Sequence, residues 1–131
     1  MRRSELMAAI LVFLVVVGTP VAIFAYERVI RPAQADPSEI PVEIWIFEDG
    51  GFKPSRIEVK AGQTLRLKLT SMDVTHSFQL LDFGIDTGPI FPGTTVEVEL
   101  HATRPGTYPY QCNVRCSPHH RNMVGQLIVR P

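Results

Sequence analysis

A chain of 131 residues has room for one compact domain and an appendage, and its composition is neither disordered nor collagen-like. Thirteen lysines and arginines balance 13 acidic residues, so nothing in the charge calls for nucleic acid and no nucleic-acid partner is expected. There are only two cysteines, both in one short stretch, so a hydrophobic core rather than a disulfide framework must hold the fold.

From Met7 to Tyr26 the chain carries no charged residue, and about 20 such residues are the length that crosses a bilayer as a helix. Residues 1–27 are therefore read as an N-terminal transmembrane anchor, with Pro20 bending it slightly. Arg2 and Arg3 favour a cytoplasmic N-terminus, against Arg28 and Arg31 on the far side. A cleaved signal peptide is the competing reading, since Ala33-Gln34-Ala35 has the small-x-small form, but it lies well past the apolar run. Either reading puts the rest of the chain on the extracytoplasmic side of a cell membrane, single-pass if the anchor is kept.

Residues 28–39 read as a polar, proline-containing linker and residues 40–131 as the globular domain. Val42 to Phe47 is the first strand, apolar on both faces and so expected to be covered on both; Asp49-Gly50-Gly51 ends it. Arg56–Lys60 and Thr64–Thr70 alternate strictly and predict a hairpin across Ala61-Gly62-Gln63. A short strand near Ser77–Leu80, an alternating one at Thr94–Leu100, and strands at Thr107–Gln111 and Val124–Val129 follow. With no helical period after residue 40, the expectation is an all-β, antiparallel, Greek-key β-sandwich preceded by one transmembrane helix.

Between the last two strands, residues 112–123 pack Cys112, Cys116, His119, His120 and Met123 into twelve positions. Thiolate, imidazole and a weak thioether are the ligand types of a mononuclear blue-copper site, which needs one more histidine. His76 is the candidate, with Asp73 three residues earlier either orienting its ring or stabilising a turn. Cys112 is then one ligand too many for a single copper. Two bridging thiolates would instead hold two copper ions, with His76 on one and His120 on the other. Met123 would cap one ion and a backbone carbonyl in the loop, that of Val114, the other. A disulfide leaves His120 and Met123 without a role, and zinc leaves Met123 idle and lacks the spacing of common zinc modules. With all positions filled by protein, such a site has no place for substrate, which points to electron transfer.

The pattern Cys112-x3-Cys116-x3-His120-x2-Met123, with His76 36 residues before Cys112, resembles the signature of cytochrome c oxidase subunit II. The soluble domain of that family is a cupredoxin carrying a dinuclear copper centre, CuA. Asp73-Val74-x-His76-Ser77-Phe78 is similar to its first-ligand motif and Arg104–Tyr108 to its approach strand. The resemblance covers residues 42–130, and the single anchor is more similar to subunit II of B-type haem-copper oxidases than to the two-helix mitochondrial form. Its spacing selects His120 over His119 as ligand. Val114 stands where many members have a glutamate that reaches a magnesium ion, and Ser117-Pro118 follows Cys116 where glycine is common.

The resemblance implies an electron-transport subunit of a respiratory haem-copper oxidase. It would accept electrons from cytochrome c, or another small redox donor, at a two-copper CuA centre and pass them to haem in subunit I, where oxygen is reduced. The enzyme label, cytochrome c oxidase, would thus belong to the complex. A free-standing, membrane-anchored CuA protein or copper carrier serving another acceptor is the alternative. Arg115 and Arg121 in the loop would repel a strongly basic cytochrome, so a mainly apolar docking surface with modest salt dependence is expected.

Overall fold

The computed structural model describes residues 2–30 and 38–131. Most of the expected linker, and the alternative cleavage site at Ala33-Gln34-Ala35, lie outside the described residues. The chain divides into two units, Met1–Asp36 and Pro37–Pro131.

The N-terminal unit is one helix, Arg3–Ile30. Its segments α1 (Arg3–Phe13) and α2 (Thr19–Ala25) are joined by a π-helical turn at Leu14–Gly18, and a second such turn closes it at Tyr26–Ile30. The first turn lies directly before Pro20, which has no N–H to return to the carbonyl four residues back. At about 1.5 Å per residue, its 28 residues exceed a hydrocarbon core of about 30 Å. None of its side chains is buried within the unit, as suits a helix whose apolar surface faces lipid.

The second unit is a β-sandwich of nine strands: β1 (Glu39–Ile44), β2 (Phe52–Lys53), β3 (Arg56–Lys60), β4 (Thr64–Ser71), β5 (Gln79–Leu80), β6 (Ile85–Asp86), β7 (Thr95–His101), β8 (Gly106–Gln111) and β9 (Val124–Arg130). One sheet runs β2-β1-β4-β7 and the other β3-β9-β8-β5-β6. The apolar alternates of the long strands meet between them: Val42, Leu67, Leu69 and Leu100 from the first sheet, Ile57, Val59, Leu127 and Val129 from the second, each at most 6% exposed. Burying each such side chain contributes about 1.5–3 kcal/mol, which makes this core the main support of the fold.

Three sequence-based expectations are corrected. The sheets are mixed rather than antiparallel, because β1 pairs parallel with β4 and β3 parallel with β9. The hairpin across Ala61-Gly62-Gln63 does not form: β3 lies in one sheet and β4 in the other. Those three residues instead make a corner, with Gly62 at φ +88° and its N–H on the Ala102 carbonyl, while Ala61 N–H bonds the Arg130 carbonyl. Strict alternation describes both cases equally, since strands that face each other across a core bury the same alternate residues as strands side by side. Finally, β1 is covered on one face only. It ends at Ile44 with Glu43 exposed, and Phe47 lies outside it in a short 3₁₀ turn, Phe47–Asp49.

One contact fixes the strands that carry the metal loop. Tyr110 of β8 is fully buried and lies across from Gly125 of β9, where a Cβ would come within 2.1 Å of the ring. Its hydroxyl donates to the Pro54 carbonyl at 2.9 Å, and its ring packs against Phe52 and Phe78 with centroids 5.1 and 5.0 Å away. Glycine is required at 125 because the aromatic ring occupies the space of a side chain.

Candidate metal centre

The loop 112–123 is the connection between β8 and β9, and its neck is closed by one further ladder bond, Cys112 N–H to the Met123 carbonyl at 3.2 Å. Inside the loop Cys116 N–H bonds the Val114 carbonyl at 2.8 Å, and His120 opens a 3₁₀ turn, His120–Asn122, that hands the chain to Met123. Met123 and Cys112 are buried, while Cys116, Val114 and His120 are half-buried. The two cysteines are free thiols, not a disulfide.

His76 reaches this loop from the segment after β4, as its alternative to a surface position requires. Its backbone is held by reciprocal hydrogen bonds with Ile90, at 3.1 and 2.7 Å, and its side chain is fully buried. The ring Nε2 lies 2.6 Å from Asp73 Oδ1. That carboxylate accepts a hydrogen bond there, so Nε2 carries the hydrogen and, in the neutral ring, the Nδ1 lone pair faces Cys112 Sγ, 4.0 Å away. Asp73 does both things foreseen for it: Oδ1 also accepts the Val74 N–H at 2.6 Å, and Oδ2 the Ile46 N–H at 2.7 Å.

The ligand atoms of His76, Cys112 and Cys116 all lie within 4.8 Å of one another, the only such group of metal-binding side chains among the described residues. Each sulfur has its own weak donor close by: the Val114 carbonyl 3.4 Å from Cys112 Sγ, and Met123 Sδ 3.1 Å from Cys116 Sγ. His120 stands outside the 4.8 Å group and forms no second group with the two thiols. Its Nδ1 is buried without any hydrogen-bond partner. A buried ring nitrogen left bare is costly, and a metal ion beside the thiolates is what would satisfy it. The donors present, two thiolates, two imidazoles, a thioether and a carbonyl, fit copper.

The electrostatics are those of a site built for thiolate. Burial disfavours the charge on Cys112, but His76, when protonated and donating from Nδ1, and the Ser77 N–H at 3.4 Å outweigh it and bring the thiol down to about 7. Burial and the neighbouring Cys112 charge push Cys116 up to about 12, so in the metal-free protein one proton stays on the pair. Burial also works against a charged His76, yet Cys112 and Asp73 raise its pKa, while the Ile46, His76 and Val74 donors overcome burial to hold Asp73 below the usual carboxylate range.

Two contributors were not singled out from sequence. Ser77 gives its N–H to the Cys112 sulfur at 3.4 Å, while its hydroxyl, 3.8 Å from that sulfur, donates to Asn113 Oδ1 at 2.5 Å and accepts the Asn113 N–H at 2.9 Å. Its place next to His76 was the available signal. Glu48, from the turn after β1, bonds His119 Nδ1 at 2.6 Å. His119 itself is exposed.

The chain matches the family model of the cupredoxin-like domain over residues 7–129. It is 35% identical over 103 residues to cytochrome c oxidase subunit 2 of Thermus thermophilus, an alignment covering 76% of this chain and 75% of the relative. Among solved structures it is similar to the periplasmic domain of cytochrome oxidase subunit II from Bradyrhizobium japonicum, with a TM-score of 0.58 at 21% identity over 73% of this chain and 86% of that one. A chain of a haem-copper terminal oxidase dimer aligns over 98% of this chain and all of its own length, with a TM-score of 0.57 at 18% identity. The structural likenesses carry the fold, and the Thermus relative carries the family. With its mixed-sheet cupredoxin sandwich and a donor set suited to copper, the chain belongs to the cytochrome c oxidase subunit 2 family.

Proposed function

We propose that the chain is the electron-entry subunit of a haem-copper oxidase, holding a dinuclear copper centre between Cys112 and Cys116 and relaying electrons from a c-type cytochrome to haem in subunit I. The observation that carries this reading is the donor set: two adjacent thiols grouped with His76, in a loop that also holds a buried His120 Nδ1 without a hydrogen-bond partner. Cys112, Cys116, His76 and His120 would hold the metal, with Met123 and the Val114 carbonyl as weaker ligands. Two copper ions bound there supply one-electron transfer at a centre shared by both metals.

The protein's part is to hold these groups still. Asp73 fixes the His76 tautomer, Ser77 stabilises the Cys112 thiolate, and burial of His76, Cys112 and Met123 keeps water from the donors. Ligands fixed in this way need little rearrangement when an electron arrives or leaves. No position is open to a substrate, so oxygen reduction belongs to the partner subunit. The helix Arg3–Ile30 anchors the subunit as a single pass, with the copper domain on the extracytoplasmic side.

Around the site, Phe47, Met72 and Val74 are exposed, and so are Arg115 and Arg121. Apolar groups with uncompensated positive charge suit a donor that docks through apolar contact. Mixing the copper-loaded full chain with a reduced c-type cytochrome tests the reading: rapid oxidation of the cytochrome, falling only modestly with added salt, supports it. Failure to oxidise any c-type donor contradicts the donor class, and a steep fall with salt contradicts the docking surface.

A further inference from the structure

The two imidazoles come from distant parts of the chain, yet one turn touches the surroundings of both. Residues 45–51 cross from β1 to β2 as a compact loop, tied by Trp45 N–H to Gly51 O at 2.9 Å, Asp49 N–H to Ile46 O at 3.0 Å and Gly51 N–H to Ile46 O at 3.0 Å. On one side Ile46 N–H bonds Asp73 Oδ2, and Asp73 Oδ1 bonds the His76 ring. On the other, Glu48 Oε1 accepts from His119 Nδ1 at 2.6 Å. The Phe47 ring adds a tilted contact with the His119 ring at 6.3 Å.

Ser117 and His119 are not ligands, but they set the backbone of one. His119 N–H bonds Ser117 Oγ at 3.2 Å, His120 N–H bonds the Ser117 carbonyl at 3.2 Å, and Asn122 N–H bonds the His119 carbonyl at 2.9 Å. A hydrogen-bonded path therefore runs from His76 through Asp73, the turn and Glu48 to the residues on either side of Pro118, immediately before His120. We propose that Glu48 is a positioning residue: by clamping His119, and through it Ser117, onto the turn that also holds Asp73, it sets where the His120 ring stands relative to His76 before any metal binds. The proposal rests on the two-imidazole copper reading above.

Glu48 lies on the surface, so its bond to His119 adds little to the stability of the fold. Its effect is local, on the freedom of residues 117–122. Without the clamp this segment keeps only its own turn bonds, since Pro118 has no N–H to offer.

The test compares full-length chain in detergent carrying Glu48→Ala, Glu48→Gln or Asp49→Ala. Asp49→Ala removes the same charge one residue away, and no side-chain bond joins Asp49 to the loop. In the metal-free proteins, amide exchange at residues 119–122 accelerates about threefold to tenfold in Glu48→Ala, while the β4 and β7 amides are unchanged. In the copper-loaded proteins, loss of metal to a chelator accelerates by a similar factor, below the 10- to 100-fold typical of a group bonded directly to a ligand. Glu48→Gln, which keeps an acceptor for His119, stays close to wild type in both measurements, and Asp49→Ala matches wild type in both. Unchanged loop exchange in Glu48→Ala overturns the proposal, as does an equal effect from Asp49→Ala, which would make the cause charge rather than the clamp. The exchange measurement needs no metal, and a wild-type protein that fails to take two coppers would refute the reading of the site while leaving the clamp itself to be judged on exchange.

Discussion

Asp73→Asn is the substitution whose outcome follows most directly from the site's geometry. The carboxylate accepts three hydrogen bonds, from Val74 N–H and the His76 ring at Oδ1 and from Ile46 N–H at Oδ2. An asparagine must place its amino group at one of these positions. At Oδ1 it would face two donors and at Oδ2 only one, so the favoured orientation keeps the carbonyl toward His76 and sets the amino group against Ile46 N–H. One charged hydrogen bond is replaced by a donor–donor contact, and two others become neutral. Hydrogen bonds to charged groups contribute about 1.5–3 kcal/mol, so a net loss of about 2–3 kcal/mol is expected in the metal-free protein. For a domain of this size that lowers Tm by about 10–20 °C. Denaturation followed by the fluorescence of Trp45, the single tryptophan, measures it. Because His76 keeps an acceptor at Nε2, copper still binds but is lost about 10- to 100-fold faster. The potential also rises, since a negative charge that favours the oxidised centre is gone. A variant within about 0.5 kcal/mol of wild type, with unchanged copper retention, would refute the assignment of Asp73 as the group that orients His76.

Other substitutions separate the remaining roles. Cys112→Ser degrades the centre toward a single copper, whereas Met123→Leu keeps both metals and mainly shifts the potential; equal damage from the two would overturn this ranking of ligands, and metal analysis with absorption spectra distinguishes them. Copper binding requires deprotonated thiols. At pH 8 Cys112, at about 7, is already mostly thiolate and Cys116, at about 12, is not, so loading releases at least the Cys116 proton; at pH 6 Cys112 adds another, and His76, whose pKa is raised, releases a proton wherever it is still protonated. Affinity therefore rises with pH, more steeply below about 7 than above it, and calorimetry in buffers of different ionisation enthalpy measures the count; no proton release at pH 8 would contradict it. Gly125→Ala forces the Tyr110 ring from its place and its hydroxyl from Pro54, at a cost of about 2–4 kcal/mol in denaturation experiments, and an unperturbed variant would show that the ring does not need the glycine.

The site was far more legible in the sequence than the sheet pairing around it. Ligand spacing is a local property of residues 112–123, and it holds whatever the strands do, so the loop and its surplus cysteine could be read directly. His76 could be found because a loop with that donor set lacks an imidazole, and Asp73 because it stands three residues away. Pairing partners are a different kind of information. The alternation in β3 and β4 states which side chains are buried but not whether the strands lie beside or across from each other, and the bonds that decide it come from Ala102 and Arg130, far along the chain. The same limit hid Glu48, 71 residues from His119, and left the sulfur-directed role of Ser77 unread. The short strands β2 and β6, two residues each, carry no period that a sequence pattern could register.

The central claim is that Cys112 and Cys116 hold two metals rather than one. Copper loading of the full chain in detergent, followed by metal counting and electron paramagnetic resonance, tests it most directly. The account predicts two coppers per chain sharing one unpaired electron, with hyperfine structure from both nuclei. One copper per chain with a localised signal would contradict it.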